Sequence, residues 1–240
     1  MLTIKNYHVQ VEDKDILHDI NLQINKGEVH VIMGPNGSGK STLANSLAGH
    51  PTYTVTKGSV LIDNNDITSA SPDEKAKAGL FLSMQYLPEI SGVTIGNFLR
   101  IAYNSLHNET VHPLKFFKVL QEKAHALGIE EAFLKRSLGV GFSGGEKKRL
   151  ELLQLSVLNP TYAILDETDS GLDIDALDIV MKGITSFANE DKGVLLITHY
   201  PKVIELIKPD VVHIMKEGKI VESGNADIAE RIAKEGFNEK

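Results

Sequence analysis

A glycine-rich segment, GPNGSGKST, has the residue types and spacing of a phosphate-binding loop. It fits the pattern G-x-x-x-x-G-K-[ST], with an apolar strand candidate before it and a helix candidate after it, as such a loop requires. Glycines let the backbone curl so that successive amides point at phosphate oxygens, and the helix N-terminus adds partial positive charge. We expect Lys40 to reach the β- and γ-phosphates and Ser41 to bind Mg²⁺. The residues expected to bind a nucleoside triphosphate are Gly34, Pro35, Asn36, Gly37, Ser38, Gly39, Lys40, Ser41 and Thr42, here named the phosphate loop.

Two adjacent carboxylates end a second apolar strand candidate, AILDE. In open α/β sheets ligands bind beyond the carboxyl ends of the strands, which is where Asp166 and Glu167 would lie. Asp166 is expected to bind the Mg²⁺ shell, and Glu167 to accept a proton from the attacking water or to orient it. An ordinary acidic strand end is the alternative, and the phosphate loop elsewhere in the chain disfavours it.

Two further polar residues follow apolar strand candidates. Gln85 follows LFLSM, and its amide could both coordinate Mg²⁺ and hydrogen-bond a water. His199 ends VLLITH, where its imidazole could hydrogen-bond a γ-phosphate or position the water. A lone histidine is more often structural, and we interpret the other eight in that way, including His30.

The segment GFSGGEKKR, Gly141 to Arg149, admits two interpretations. Ser143 followed three residues later by Glu146 fits a capping box, in which the two side chains satisfy amides at a helix N-terminus. The same helix end also attracts anions, because its free amides carry partial positive charge. The segment alone does not decide between a simple helix start and part of a binding site.

The elements around these residues alternate between strands and helices. Strand candidates are residues 2–11, 16–24, 27–33, 80–84, 163–167 and 193–199, and residues 58–66 are interpreted as a strand that runs into a polar turn. Helix candidates are residues 43–49, 114–128, 151–159, 175–188 and part of 225–240. Strands that alternate with helices indicate an α/β fold with a mainly parallel sheet and right-handed crossovers. The segment 86–159 changes character and is interpreted as a helical insertion.

Composition limits the class of protein. Hydrophobic residues make up 42% of the 240 residues, enough for a substantial core. The net charge of -7 argues against a broad nucleic-acid surface. The chain has no Cys, so it cannot supply a thiolate to a metal centre. No apolar run approaches about 18 residues, and MLTIKNYHVQ lacks a signal pattern, so we expect a cytoplasmic location without membrane insertion.

The order and spacing of these motifs resemble the ABC-type ATPases over nearly the whole chain. The resemblance implies a P-loop NTPase fold with a mainly parallel core sheet, an antiparallel β subdomain and a helical subdomain. It implies one domain, residues 1–240, with a nucleotide-binding core at 1–85 and 160–240 and a helical subdomain at 86–159. ATP and Mg²⁺ are the implied cofactors.

The resemblance also assigns a role to GFSGGEKKR, here named the signature segment. In ABC-type ATPases two subunits pack head to tail, and each ATP lies between one phosphate loop and the other subunit's signature. Carried over, Ser143, Gly144 and Gly145 would contact the γ-phosphate bound at Lys40 of the other copy. Ser170-Gly171-Leu172-Asp173 matches the family's D-loop, which lines that dimer interface.

Several departures from the common family pattern resemble the SufC-like subfamily. The signature reads FSGGE where LSGGQ is commoner, and DETDSGLDIDAL replaces DEP-type sequences. SufC-like proteins are the ATPase subunits of the SUF iron-sulfur cluster assembly machinery and bind the SufB and SufD scaffold subunits. The absence of Cys fits that division of labour, as it fits many other proteins.

Alternatives remain open at this point. The ATP-binding subunit of an ABC membrane transporter would share every catalytic motif. A DNA-repair ATPase would need a long coiled coil between the phosphate loop and the signature segment, where only about a hundred residues lie. A nucleotide kinase would not need the signature.

Val11 stands where the family often has an aromatic residue against adenine, with Tyr7 out of register, so we expect relaxed base selectivity.

Overall fold

The computed structural model describes residues 1–83 and 88–237, apart from the side chains of residues 174 and 175. The strands are β1 (Leu2–Val11), β2 (Lys14–Ile24), β3 (Val29–Met33), β4 (Tyr53–Ile62), β5 (Asn65–Asp66), β6 (Leu80–Ser83), β7 (Ile90–Thr94), β8 (Ser137–Leu138), β9 (Tyr162–Asp166), β10 (Gly193–Ile197), β11 (Val211–Lys216) and β12 (Lys219–Gly224). The helices are α1 (Lys40–Leu47), α2 (Pro72–Lys77), α3 (Ile95–His107), α4 (Pro113–Ala126), α5 (Glu131–Leu134), α6 (Gly144–Leu158), α7 (Ile174–Phe187), α8 (Pro201–Ile207) and α9 (Asp227–Glu235).

The chain divides into two compact units. The first consists of Met1–Ser83, Pro160–Asp169 and Ala188–Lys240, and the second of Met84–Asn159 and Ser170–Phe187. The second unit therefore contains residues of the 86–159 segment together with a later segment that includes α7.

A six-stranded sheet organises the first unit, in the order β12-β11-β3-β10-β9-β6. The pairings of β3, β6, β9, β10 and β11 are parallel, and β12 pairs antiparallel with β11. Every residue of β3, β9 and β10 is buried, as continuous apolar strands in a covered parallel sheet should be. The predicted mainly parallel core sheet is confirmed.

An antiparallel sheet in the order β2-β1-β4-β5 completes the β structure of the first unit. Helix α1 packs against both sheets, so Leu43 and Leu47 join one apolar core with residues of each. For residues 58–66 we predict a strand that runs into a polar turn; the strand begins earlier, at Tyr53, and the turn is present. Asp63 and Asn64 both have positive φ, 47° and 69°, and they form a two-residue turn that ends β4 and starts β5.

Two buried histidines link β3 to its neighbour β11. His30 Nδ1 lies 3.0 Å from His213 Nε2, and His213 Nδ1 lies 2.7 Å from Ser223 Oγ on β12. His30 Nε2 lies 3.0 Å from Glu28 Oε2. Burial, with a smaller contribution from the charge of His30, lowers the pKa of His213 from 6.5 to about 4. The structural interpretation of His30 agrees with this place inside the sheet.

The second unit is mainly helical, with a small antiparallel pair of strands, β7 and β8. Its buried side chains come from α3, α4, α5, α6 and α7 and include Leu99, Phe116, Leu120, Leu134, Leu150, Leu153, Val180 and Ile184. The predicted helix 114–128 corresponds to α4, and the predicted helix 151–159 is the second half of α6. Among the described residues, no helix is both long and apolar enough to span a membrane.

Candidate nucleotide-binding site

The phosphate loop follows the buried strand β3 and leads directly into α1. Gly39 is the N-cap of α1, and its φ of 105° lies in the left-handed region that favours glycine. A Cβ at Gly39 would lie 2.8 Å from Leu17 Cδ2, and one at Gly34 would lie 2.2 Å from the carbonyl oxygen of Met215. Glycine at both positions therefore sets the backbone path, which begins the helix at Lys40, earlier than the predicted residue 43.

The Lys40 side chain is almost fully buried, with 5% exposed. Its Nζ donates to the carbonyl oxygens of Gly34 at 2.9 Å and Pro35 at 3.0 Å. Burial lowers the pKa of Lys40, while the charges of Glu167 and Asp166 oppose that shift. An ammonium has three N–H donors, so one remains for a further acceptor beside the loop.

Parallel pairing brings the predicted acidic residues to the same sheet edge as the phosphate loop. Ile197 of β10 is level with Ile32 of β3 on one side and with Asp166 of β9 on the other. The residues that follow Ile32, Asp166 and Ile197 therefore emerge at the same edge of the sheet. Gly34, which begins the phosphate loop, is two residues after Ile32. Asp166 is 3% exposed.

Glu167 and His199 lie close together at this edge. His199 Nδ1 is 3.7 Å from Glu167 Oε1, with 37% of the histidine side chain and 23% of the glutamate side chain exposed. Glu167 has a positive φ of 51°, and its amide donates to the carbonyl oxygen of Ile197 at 3.0 Å. A carboxylate next to an imidazole, both beside the phosphate loop, can accept a proton from a water molecule and retain it.

A second pair at this edge was missed in the sequence analysis. Thr198 Oγ1 donates to Asp169 Oδ2 at 2.7 Å and accepts from the amide of Tyr200 at 3.0 Å. Burial raises the pKa of Asp169, against the hydrogen bond from Thr198. The pair ties the turn that carries His199 to the segment that carries Glu167. The polar residues Thr168 and Asp169 in DETD, where the family commonly has DEP, were the available signal.

The predicted metal ligands have the donor chemistry of a Mg²⁺ site. Asp166 offers a carboxylate and Ser41 a hydroxyl, both of them hard oxygen donors. Gln85 lies outside the described residues. Within residues 1–83 and 88–237 no cluster of three or more His, Asp or Glu side chains forms a metal cage. This donor set fits Mg²⁺, which takes one or two protein ligands and completes its shell with phosphate and water.

The signature segment begins α6 with the predicted capping box. Ser143 is the N-cap, its Oγ accepts from the Glu146 amide at 3.2 Å, and its own amide donates to Glu146 Oε2 at 2.9 Å. Ser143 and Gly144 are exposed. Since a helix start leaves its first amides without partners inside the helix, those of Gly144 and Gly145 face outward as an anion site would require.

Tyr7 and Val11, the two residues considered for contact with adenine, both lie in β1. Tyr7 is fully buried and burial raises its pKa to about 12, so it belongs to the core, as its predicted misalignment with adenine requires. Val11 is partly exposed at the end of β1.

Comparison with known sequences gives consistent matches. A family model described as ABC transporter matches residues 17–170. The chain is 51% identical over 239 residues to Vegetative protein 296 of Bacillus subtilis (strain 168), which covers 99% of this chain and 92% of that protein. It is 47% identical over 242 residues to the probable ATP-dependent transporter ycf16 of Cyanophora paradoxa, which covers 99% and 93%.

Solved structures share the fold. A dimeric ATP-binding cassette in a post-hydrolysis state with ADP and Pi superposes with a TM-score of 0.82 at 24% identity, over 94% of this chain and 99% of that one. An ATP binding subunit of an ABC transporter gives 0.81 at 20% identity, over 100% and 95%. The predicted P-loop fold of ABC ATPase type is confirmed.

Proposed function

Because the chain belongs to the ABC transporter family and is an ATP-binding cassette, we propose that it hydrolyses ATP at a site that two copies complete together. The observation that carries the proposal is the convergence at one sheet edge of the phosphate loop, the Asp166–Glu167 pair and His199, with Glu167 and His199 3.7 Å apart. Each of these groups has a role in phosphoryl transfer to water.

In the proposed reaction, the phosphate-loop amides and Lys40 bind the triphosphate, and Glu167 receives a proton from the attacking water. His199 orients the Glu167 carboxylate and the water. Mg²⁺, held by Asp166, Ser41 and, in the prediction, Gln85, would neutralise charge on the phosphates. The chain's own contribution is to fix these groups before the substrate arrives, so that little reorganisation is needed during reaction.

The second half of the proposed site comes from the signature segment of another copy. An exposed helix start with outward amides at Gly144 and Gly145 is suited to a phosphate oxygen, and Ser143 adds a hydroxyl. ATP would then join two copies head to tail, and hydrolysis would release them. ATP binding would favour the closed arrangement of the two copies, and hydrolysis the open one, because the nucleotide binds the closed state more tightly. This change would alter the conformation of any partner bound to them.

We further propose that the partners are the SufB and SufD scaffold subunits of iron-sulfur cluster assembly. The support is the FSGGE signature and the DETDSGLDIDAL segment, together with the absence of Cys, which leaves thiolate ligands to a partner. The ATP-binding subunit of a membrane transporter is the second candidate, and it is favoured by the name of the ycf16 relative, a probable ATP-dependent transporter.

Substitution of Glu167 tests the hydrolysis. Glu167→Gln removes the proton acceptor with little change in shape, so turnover should fall by about 100-fold or more while ATP binding persists. Phosphate release and equilibrium ATP binding would be measured on the same preparations. Glu190→Gln, at an exposed glutamate of the first unit, is the matched control and should retain wild-type turnover. Near-normal turnover of Glu167→Gln would refute its assigned role.

Affinity capture from the native host tests the partners. A tagged chain would be purified with and without ATP, and the captured proteins identified by mass spectrometry. Recovery of Cys-bearing SufB and SufD subunits supports the scaffold proposal. Recovery of an integral membrane permease in their place would overturn it in favour of a transporter.

A further inference from the structure

We propose that Arg136 is a positioning residue for the signature segment, where it neutralises Glu146 and fixes the loop before Ser143 so that this helix start can receive a phosphate. The inference rests on the proposed function, because it concerns how one copy completes the ATP site of the other. It accounts for the presence of Glu in FSGGE, where the commoner family signature has Gln.

Glu146 creates an electrostatic problem at this position. It lies in the first turn of α6, three residues after Ser143, beside the amides that are proposed to bind a phosphate. A carboxylate favours a helix N-terminus, but it repels a triphosphate that approaches the same end. Hydrogen bonding by the Ser143 amide lowers the pKa of Glu146, with a further contribution from Arg136, so the carboxylate remains charged near neutral pH.

Arg136 answers this charge directly. Its Nη1 donates to Glu146 Oε1, while Glu146 Oε2 accepts from the Ser143 amide. Both carboxylate oxygens are therefore engaged, one by the guanidinium and one by the capping box. The pair leaves no net charge beside the outward amides of Gly144 and Gly145.

The same guanidinium holds the loop that leads into the helix. Arg136 Nη2 donates to the carbonyl oxygen of Gly141 at 3.3 Å. The guanidinium carbon lies 4.6 Å from the ring centroid of Phe142 and 5.3 Å from that of Phe133. The two rings, whose centroids are 4.9 Å apart, are both buried. A planar cation over an aromatic pair has a fixed direction, so its contacts with Gly141 and Glu146 are preorganised.

A simple packing role and a charge-balancing role predict different behaviour of a double variant. Removing the Arg136 charge leaves Glu146 uncompensated, whereas removing both charges leaves a neutral pair of the common family type. If Arg136 only packs, replacing Glu146 as well cannot restore what its loss removes. The double variant therefore separates the two roles.

The experiment compares ATP-dependent dimerisation of four chains, each also carrying Glu167→Gln to slow turnover: no further change, Arg136→Gln, Glu146→Gln, and both. Arg136→Gln should weaken ATP-dependent dimerisation by about tenfold at low salt, because like charges then face each other across the interface. The double variant should return to within about threefold of the parent. ATP affinity of the monomer should be unchanged in all four.

Two further measurements identify the cause. The Arg136→Gln defect should shrink in about 1 M salt, since surface charge is screened there over about 3 Å. Lys135→Gln removes a neighbouring positive charge that pairs instead with Glu131, and it should dimerise like the parent. Melting temperatures of all chains would confirm that each is folded.

The outcomes separate the inference from the proposed function. If the parent chain dimerises with ATP and Arg136→Gln does so equally well, the role of Arg136 is refuted and the proposed function stands. A double variant as weak as Arg136→Gln alone would refute charge balance. If the parent chain does not dimerise with ATP at all, the two-copy site fails and the role of Arg136 fails with it.

Discussion

The phosphate loop follows a strand buried on both faces, whereas the signature segment contains the start of a helix, exposed at Ser143 and Gly144. Around the phosphate loop, Lys40 and Asp166 are at most 5% exposed. Asp166 is fixed by the register of β9 with β10, and Lys40 by hydrogen bonds to the backbone carbonyls of Gly34 and Pro35. Around Ser143, geometry depends on side chains, namely Glu146 and Arg136. Buried strands hold the residues of a binding site in fixed positions before the ligand arrives. An exposed helix start whose geometry depends on side-chain hydrogen bonds is suited to contact with another molecule.

The largest effect that tests this contrast is expected at Lys40. Lys40→Met keeps most of the side-chain volume but removes the cation that would face the phosphates, so ATP affinity of the monomer should fall by about 100-fold or more. Isothermal calorimetry would measure it. Lys75→Met is the matched control, because Lys75 is also buried and donates to a backbone carbonyl, that of Leu47 at 3.0 Å. It should lower stability without lowering ATP affinity, and equal losses in the two variants would break the contrast.

Acid should act on the buried sheet of the first unit. The pKa of His213 is lowered to about 4 in the folded protein, so the side chain is neutral there and binds a proton more readily when unfolded, near pH 6.5. The neutral His213 side chain therefore makes its full contribution to the free energy of unfolding above pH 6.5, and this contribution is lost as the pH falls toward 4. The loss should reach about 3 kcal/mol, since one pKa unit corresponds to about 1.4 kcal/mol.

Denaturant unfolding at pH 7, 5.5 and 4.5 would measure that loss. Other groups also titrate in this range, so the comparison is made with His213→Gln, which lacks the titrating ring. The variant should show a shallower fall in unfolding free energy toward low pH. Parallel pH profiles for the two proteins would mean that His213 contributes nothing to the acid sensitivity.

The smallest effect is expected at the exposed helix start. Ser143→Ala removes the cap of α6 and should cost about 1 kcal/mol of stability, while ATP affinity of the monomer stays unchanged. Ser71→Ala is the matched control, because Ser71 is the N-cap of α2 and its amide donates to Glu74 Oε2 at 2.8 Å, as the Ser143 amide does to Glu146. The two should lose similar stability, but only Ser143→Ala should also weaken ATP-dependent dimerisation. Weaker ATP binding by the Ser143→Ala monomer would contradict the division between the two regions.

Short sequence motifs predicted much of this site, because each motif determines its own local backbone conformation. The phosphate loop, the strand that ends at Asp166 and the capping box each depend on residues within about ten positions of one another. The predicted roles of these residues, and that of Gln85, stay predictions until they are measured.

The remaining features join residues that are distant in sequence. Asp169 and Thr198 are 29 positions apart, and they meet because β9 and β10 are adjacent and parallel. His30 and His213 are 183 positions apart. Arg136 reaches Glu146 over only ten positions, but the loop between them has to reverse to bring the two together. Sequence spacing alone gives no signal for such pairs, since tertiary packing decides them.

The left-handed backbone of Glu167 has a consequence for how this chain can change over evolutionary time. A non-glycine residue in that conformation is strained by about 1 to 2 kcal/mol, and glycine would relieve the strain. Glycine at residue 167 would therefore relieve backbone strain, but it would remove the carboxylate together with its interactions with Lys40 and His199. Selection for stability without selection for turnover, as in a duplicated copy that only needs to bind ATP, should erode Glu167 before it erodes the buried residues that surround it.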